Sequence, residues 1–246
     1  MRFGSSNPVF RKLEKENVGV NEGFAQATYA GVALKSLYYL FMAVVGAVIG
    51  IYLMVNQPDI FVSILIGSFI VGLITALMSF IKPNWTKVTG TIYCLAEGML
   101  LGTISLLFEA ELPGIIISAV AGTFAVVFVV SVLYLTNIVK VTRKFVRFLI
   151  IFALSFILSQ LVLFFLSLFI PGLSSSFGGG FGIIASVLSC VLAVFYLFFD
   201  MEVIRSTVES GQPKYLEWFA AFGIVYTTLW VYIEILRIIA IFSRRS

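Results

Sequence analysis

The sequence predicts an all-α integral membrane protein, a seven-transmembrane-helix bundle with its amino terminus in the cytoplasm. Three observations carry this. Of 246 residues, 61% are hydrophobic and only 11% charged, whereas a soluble domain carries roughly 25% charge. Leu112 to Val139 and Phe148 to Phe199 run 28 and 52 residues without a formal charge, and a bilayer core needs only about 20 apolar residues per helix. Lys and Arg gather on one side of the resulting spans. The runs are apolar on every face, which disfavours the polar–apolar alternation of a membrane β-barrel.

Met1 to Lys35 is polar and basic, with Arg2, Arg11, Lys12, Lys15 and Lys35. It reads as a cytoplasmic amino-terminal tail with a short interfacial helix around residues 23–34. Apolar sequence begins only near Ser36, too far in for a typical cleavable signal peptide. Residues 36–246 then form the transmembrane domain, with spans at roughly 36–55, 60–81, 88–108, 114–136, 148–170, 181–200 and 218–242. Asn56-Gln57-Pro58-Asp59, Lys82-Pro83-Asn84, Glu109 to Gly114, and Pro171-Gly172 with the Ser/Gly run to Gly180 punctuate them. With the amino terminus inside, 13 of the 16 Lys and Arg lie in the tail and inner loops, and the three outer loops hold none. That bias orients the protein by the positive-inside rule. Arg244 and Arg245 follow the last span and run against the trend.

Composition also excludes. The pI near 9.1 comes from residues flanking apolar spans rather than from a basic stripe, so no nucleic-acid partner is expected. Cys94 and Cys190 fall inside spans and read as small hydrophobes. Histidine is absent, which removes Ser-His and Cys-His catalysis and histidine-ligated metals. Asp59 and Asp200 are the only aspartates and no Gly-x-Gly-Asp occurs, so an intramembrane aspartyl protease is disfavoured. No enzyme and no cofactor are expected. Gly178-Gly179-Gly180 lacks the Lys-Ser/Thr of a phosphate loop. Small residues at Gly46/Gly50, Gly98/Gly102 and Gly178/Gly182/Ser186/Cys190 have the spacing that lets helices approach closely in lipid.

Carboxylates in or beside hydrocarbon are expensive and mark candidate sites. Glu97 lies about nine residues into the third span, Asp200 closes the sixth, and Glu234 sits inside the seventh. Arg237 follows Glu234 at i, i+3, so an intrahelical ion pair is the sober alternative there. Glu202, Arg205 and Glu209 fit the solvated end of the sixth helix, with Arg205 also a gate or ion-pair candidate. Counting along the spans sets Asp200 at the inner edge of a ~30 Å core, with Glu97 and Glu234 roughly 13 and 18 Å from that edge. At those depths Glu234 faces Glu97 more readily than Asp200.

Several short motifs in order resemble the Bax inhibitor (transmembrane Bax inhibitor motif) family, in its bacterial branch. They are Ser5-Ser6-Asn7-Pro8-Val9-Phe10, Ala27-Thr28-Tyr29-Ala30-Gly31-Val32, Phe199-Asp200, Gly211-Gln212-Pro213-Lys214, Glu217-Trp218 and Tyr232-Ile233-Glu234-Ile235-Leu236-Arg237. The resemblance spans essentially the whole chain. It implies a seven-helix, pH-sensitive calcium leak in which an acid late in helix six shares a proton with one in helix seven. Asp200 matches the first position. The local pattern puts the second at Glu234, whereas counting back from Leu236-Arg237 puts it near Thr227, which is no acid.

The expected function is therefore a proton-gated calcium (cation) leak in a bacterial inner membrane. Asp200 and Glu234 would offer a weak, transient calcium site, and Asp200, Glu234 and Glu97 would sense pH, since two close acids in low dielectric do not both ionise cheaply. Calcium is the permeant ion and the bilayer and protons are the other partners. A second reading is a non-conducting regulator that binds a membrane protease or other membrane proteins.

Overall fold

The computed structural model describes residues 25–57, 59, 61–169 and 180–243. These form seven helices: α1 Tyr29–Asn56, α2 Phe61–Ile81, α3 Thr86–Glu111, α4 Ile115–Leu135, α5 Arg143–Phe169, α6 Gly180–Glu209 and α7 Leu216–Ser243. A single 3₁₀ turn, Pro83–Trp85, joins α2 to α3. All seven are long and apolar enough to cross a membrane, and the described prolines, Pro83, Pro113 and Pro213, fall outside them, as the missing N–H and fixed φ of proline require. The protein is a multi-pass seven-helix membrane protein.

Hydropathy located the helices and local chemistry set their ends. Helix α1 begins at Tyr29, before the apolar run, because the Thr28 hydroxyl accepts the Gly31 N–H at 3.0 Å. Tyr29 to Leu34 are thus the first turns of α1 and not a separate interfacial helix. Thr142 caps α5 in the same way, accepting the Phe145 N–H at 3.2 Å. The Glu109 carboxylate accepts the Gly114 and Ile116 N–H groups at 2.7 and 3.0 Å, which closes the start of α4. Helix α6 runs nine residues past Asp200, to Glu209. Hydropathy ends that span at the first charge, but the helix continues because its polar turns find partners: Tyr134 donates to Glu202 at 2.6 Å and Arg205 to Glu209 at 3.0 Å.

Helix α7 is the hub and packs on α1, α3, α4 and α6. Against it, α1 and α3 form the tightest seam in the molecule. A Cβ on Gly46 or Gly98 would run into the backbone carbonyl of Leu95 or Ala43, and one on Gly102 would lie 2.6 Å from the Ala47 backbone. These are two of the small-residue pairs read from the sequence, and they let two backbones touch, which lipid-phase helix association favours. In the third set, Ser186 is buried and Cys190 half-buried, while Gly178 lies outside the described residues. Helices α2 and α5 are peripheral: α2 leans on α3, and α5 on α6.

The end carrying the basic loops is closed. Ala27 N–H bonds Gln212 O and Lys214 N–H bonds Ala25 O, each at 2.8 Å, so the chain entering α1 is stitched to the α6–α7 turn. Beneath this stitch Glu217 is fully buried. It accepts the Thr28 N–H at 2.8 Å and the Thr28 hydroxyl at 3.2 Å, and it pairs with Lys35. The Lys35 ammonium also lies 5.2 Å from the centre of the Trp218 ring. Gly31 has no room for a side chain, because a Cβ there would meet the Glu217 carboxylate.

Candidate functional site

A cavity of about 870 Å³ lies between the α6–α7 pair, α3 and the two peripheral helices. Glu97 of α3 and Asp200 of α6 both line it. Polar groups from Gln160 on α5, Ser189 on α6 and Thr227 on α7 join them. The rest of the wall is apolar and largely aromatic, with Phe80, Tyr93, Tyr196, Tyr226 and Trp230.

Asp200 is buried, 7% exposed, and its Oδ2 has no hydrogen-bond partner among the described residues. Its Oδ1 faces Gly223, where a Cβ would come within 3.1 Å. The Thr227 hydroxyl on α7 lies within hydrogen-bonding reach of the carboxyl. Gly223 and Thr227 are one turn apart and so share a face. The position on α7 that confronts Asp200 therefore carries a glycine and a threonine, not an acid.

Glu234 lies elsewhere. Its Oε1 accepts the Ser189 hydroxyl at 2.7 Å, and Ser189 in turn accepts Trp230 Nε1 at 3.3 Å. Ser189 opposite Glu234 and Asp200 opposite Gly223 belong to one antiparallel register, eleven residues apart on each helix. At ~1.5 Å per residue that separates Asp200 from Glu234 by about 16 Å along the bundle. The two do not form one calcium site, and among the described residues no cluster of three or more His, Cys, Asp or Glu could hold a metal. Arg237 forms the intrahelical pair with Glu234 at 3.4 Å, with its own side chain half exposed. Arg205 pairs with Glu209 on the exposed end of α6 and does not line the cavity.

Glu97 is half-buried. Tyr93, one turn before it, packs on Phe222 and Tyr226 with ring centres 5.3 and 5.4 Å apart. Ser105, two turns after it, bonds the Tyr232 hydroxyl at 2.7 Å. Because α3 and α7 run parallel, these contacts set Glu97 level with Tyr226 and Thr227. Glu97 and Asp200 thus border one cavity at similar depth, while Glu234 sits about two turns further along. The depth count from the sequence placed Asp200 too shallow because it ended the span at that residue, whereas the helix continues for nine more.

Sequence reasoning passed over Gln160 and Ser189 and gave Gly223 and Thr227 no place in the site. Gln160 left a signal: it is the only amide side chain between Phe148 and Phe199. Thr227 was reached by counting back from Leu236-Arg237, but as a hydroxyl it did not register as a partner for an acid.

Seven membrane-length helices around a carboxyl-bearing cavity define a polytopic membrane protein. The sequence model of the family described as Bax inhibitor 1 like matches residues 7–244. The chain belongs to that family. No curated protein matches the sequence.

Proposed function

We propose that the protein is a pH-sensitive cation leak of the Bax inhibitor type, passing calcium across a bacterial inner membrane with its basic end towards the cytoplasm. The observation that supports this most is the pair Glu97 and Asp200 bordering a single cavity, with one Asp200 oxygen lacking a donor among the described residues. A bare carboxylate in low dielectric attracts either a proton or a cation with its water. Exchange of one for the other at Asp200 alters the charge at the α6–α7 contact, where Gly223 leaves no slack, and this is the proposed gate. Across the α6–α7 contact Asp200 faces a hydroxyl rather than a second carboxyl, so the pH response of flux is set by Asp200 together with Glu97 and not by Asp200 with Glu234. Calcium prefers six to eight oxygens, so the cavity suits transit with retained water rather than storage.

The test is calcium flux into proteoliposomes as a function of pH. Asp200→Asn is expected to flatten the pH dependence and Glu97→Gln to lower flux at every pH, with Glu234→Gln close to wild type. Equal flux from wild type and both cavity variants would remove the carboxylate mechanism. A wild-type protein with no flux at any pH would favour a non-conducting regulator that works by binding other membrane proteins.

A further inference from the structure

We infer that the same cavity is a binding site for an amphipathic organic cation, an ammonium carrying an aromatic or alkyl group. The inference does not rest on calcium passing through the protein. Charge selects the sign of the ligand: among the described residues two carboxyl groups line the cavity and no Lys or Arg does. Asp200, on the wall, is more than nine-tenths buried and leaves Oδ2 without a donor. Rotation about its Cβ–Cγ bond exchanges the two oxygens at little cost, since that torsion is broad.

The wall selects the kind of cation. A hard divalent ion needs a shell of six to eight oxygens, whereas Glu97 and Asp200 stand on different helices of a wall that is otherwise largely aromatic. Tyr93, Tyr226, Tyr196, Trp230, Phe80 and Phe199 all line the space. Aromatic faces attract a weakly hydrated ammonium through the ring quadrupole, most strongly where water is excluded. An ammonium against Asp200 with its apolar group among these rings satisfies both halves of the site. At about 870 Å³ the space falls in the size range of pockets that hold drug-sized ligands.

Access points the same way. Phe80 on α2 and Phe156, Ile157 and Leu161 on α5 line the cavity, yet the main contacts of those helices are α3 and α6 respectively. The space between α2 and α5 therefore lies at the lipid-facing side of the bundle, where amphipathic cations concentrate.

The experiment uses the full chain in zwitterionic nanodiscs without calcium. Benzyltrimethylammonium is titrated calorimetrically against empty discs, and so is neopentylbenzene, its uncharged isostere with carbon in place of nitrogen. Saturable binding of the cation and none of the isostere is expected, with Asp200→Asn weakening it about tenfold or more, equivalent to at least 1.4 kcal/mol. Equal saturable binding of cation and isostere would overturn the inference, as would no saturable binding of the cation. Equal affinity of wild type and a folded Asp200→Asn would do the same. The wild-type comparison decides even if the variant misfolds. A protein that conducts calcium but ignores the ammonium refutes only this inference; one that binds it without conducting refutes only the leak.

Discussion

Glu217 and Asp200 are both buried carboxyls at the α6–α7 pair, and they have opposite surroundings. Glu217 is enclosed at the basic end with a lysine, a hydroxyl and a backbone N–H on its oxygens. Asp200 borders an open volume and leaves one oxygen bare. The difference separates a carboxyl whose partners are built into the fold from one with an oxygen that the described residues leave unpartnered. Burial alone does not distinguish them. The number of donors around each does.

Removing the enclosed acid has the largest expected effect. Glu217→Ala leaves Lys35 largely buried without its counter-charge, and breaking such a pair costs about 3–5 kcal/mol. Thermal unfolding in detergent micelles should show a large drop in midpoint. An unchanged midpoint would dissolve the contrast with Asp200, since both acids would then be dispensable to the fold. Glu217→Gln, which keeps the hydrogen bonds from Thr28, should fall between.

The bare acid should behave in the opposite sense. Asp200→Asn removes no hydrogen bond at Oδ2, so its unfolding midpoint should stay within about 1 kcal/mol of wild type, while the pH dependence of flux disappears. A strong loss of stability there would mean that Asp200 also serves the structure.

The smallest effect belongs to Glu234. Its pair with Arg237 is long, 3.4 Å, the arginine is half exposed, and Ser189 still donates to the buried carboxyl when the arginine is removed. Arg237→Gln should therefore leave both stability and flux nearly unchanged. Glu234→Gln, which can still accept from Ser189, should do the same. If Arg237→Gln abolished flux, the conducting path would have to extend beyond the cavity to that depth.

The fold was legible because bilayer solvation acts on long averages: an apolar run of membrane length bounded by Pro, Gly and basic residues leaves few alternatives to a spanning helix. The small-residue spacing at Gly46 and Gly98 was readable for a similar reason, since only one helix face can carry it. The site was harder. Asp200 and Glu97 stood out as charges in hydrocarbon, but Asp200 was placed at a mouth because hydropathy ends where charge begins, and α6 does not. Whether Asp200 meets Glu234 or Thr227 depends on register between two helices, and residue type pointed to the acid while geometry chose the hydroxyl. Glu217 was noticed only as part of a motif beside Trp218, because the first turn of a helix is where a glutamate ordinarily meets water. Nothing local announces that Lys35 and Thr28, more than 180 residues earlier, enclose it.

Helix α7 packs chiefly on four of the other six helices, and it is the last of the seven to leave the ribosome. Until it is made, Thr28 and Lys35 have no carboxylate to hold, Tyr93 has no ring to stack on, and Asp200 has no glycine opposite. Synthesis from the amino terminus can join α1 to α3 early, through their glycine seam. The centre of the bundle must wait for its final segment. A chain interrupted before Leu216 thus carries six helices around an unfilled axis, with its costliest charges still lacking their counterparts, the condition in which membrane quality control would meet it.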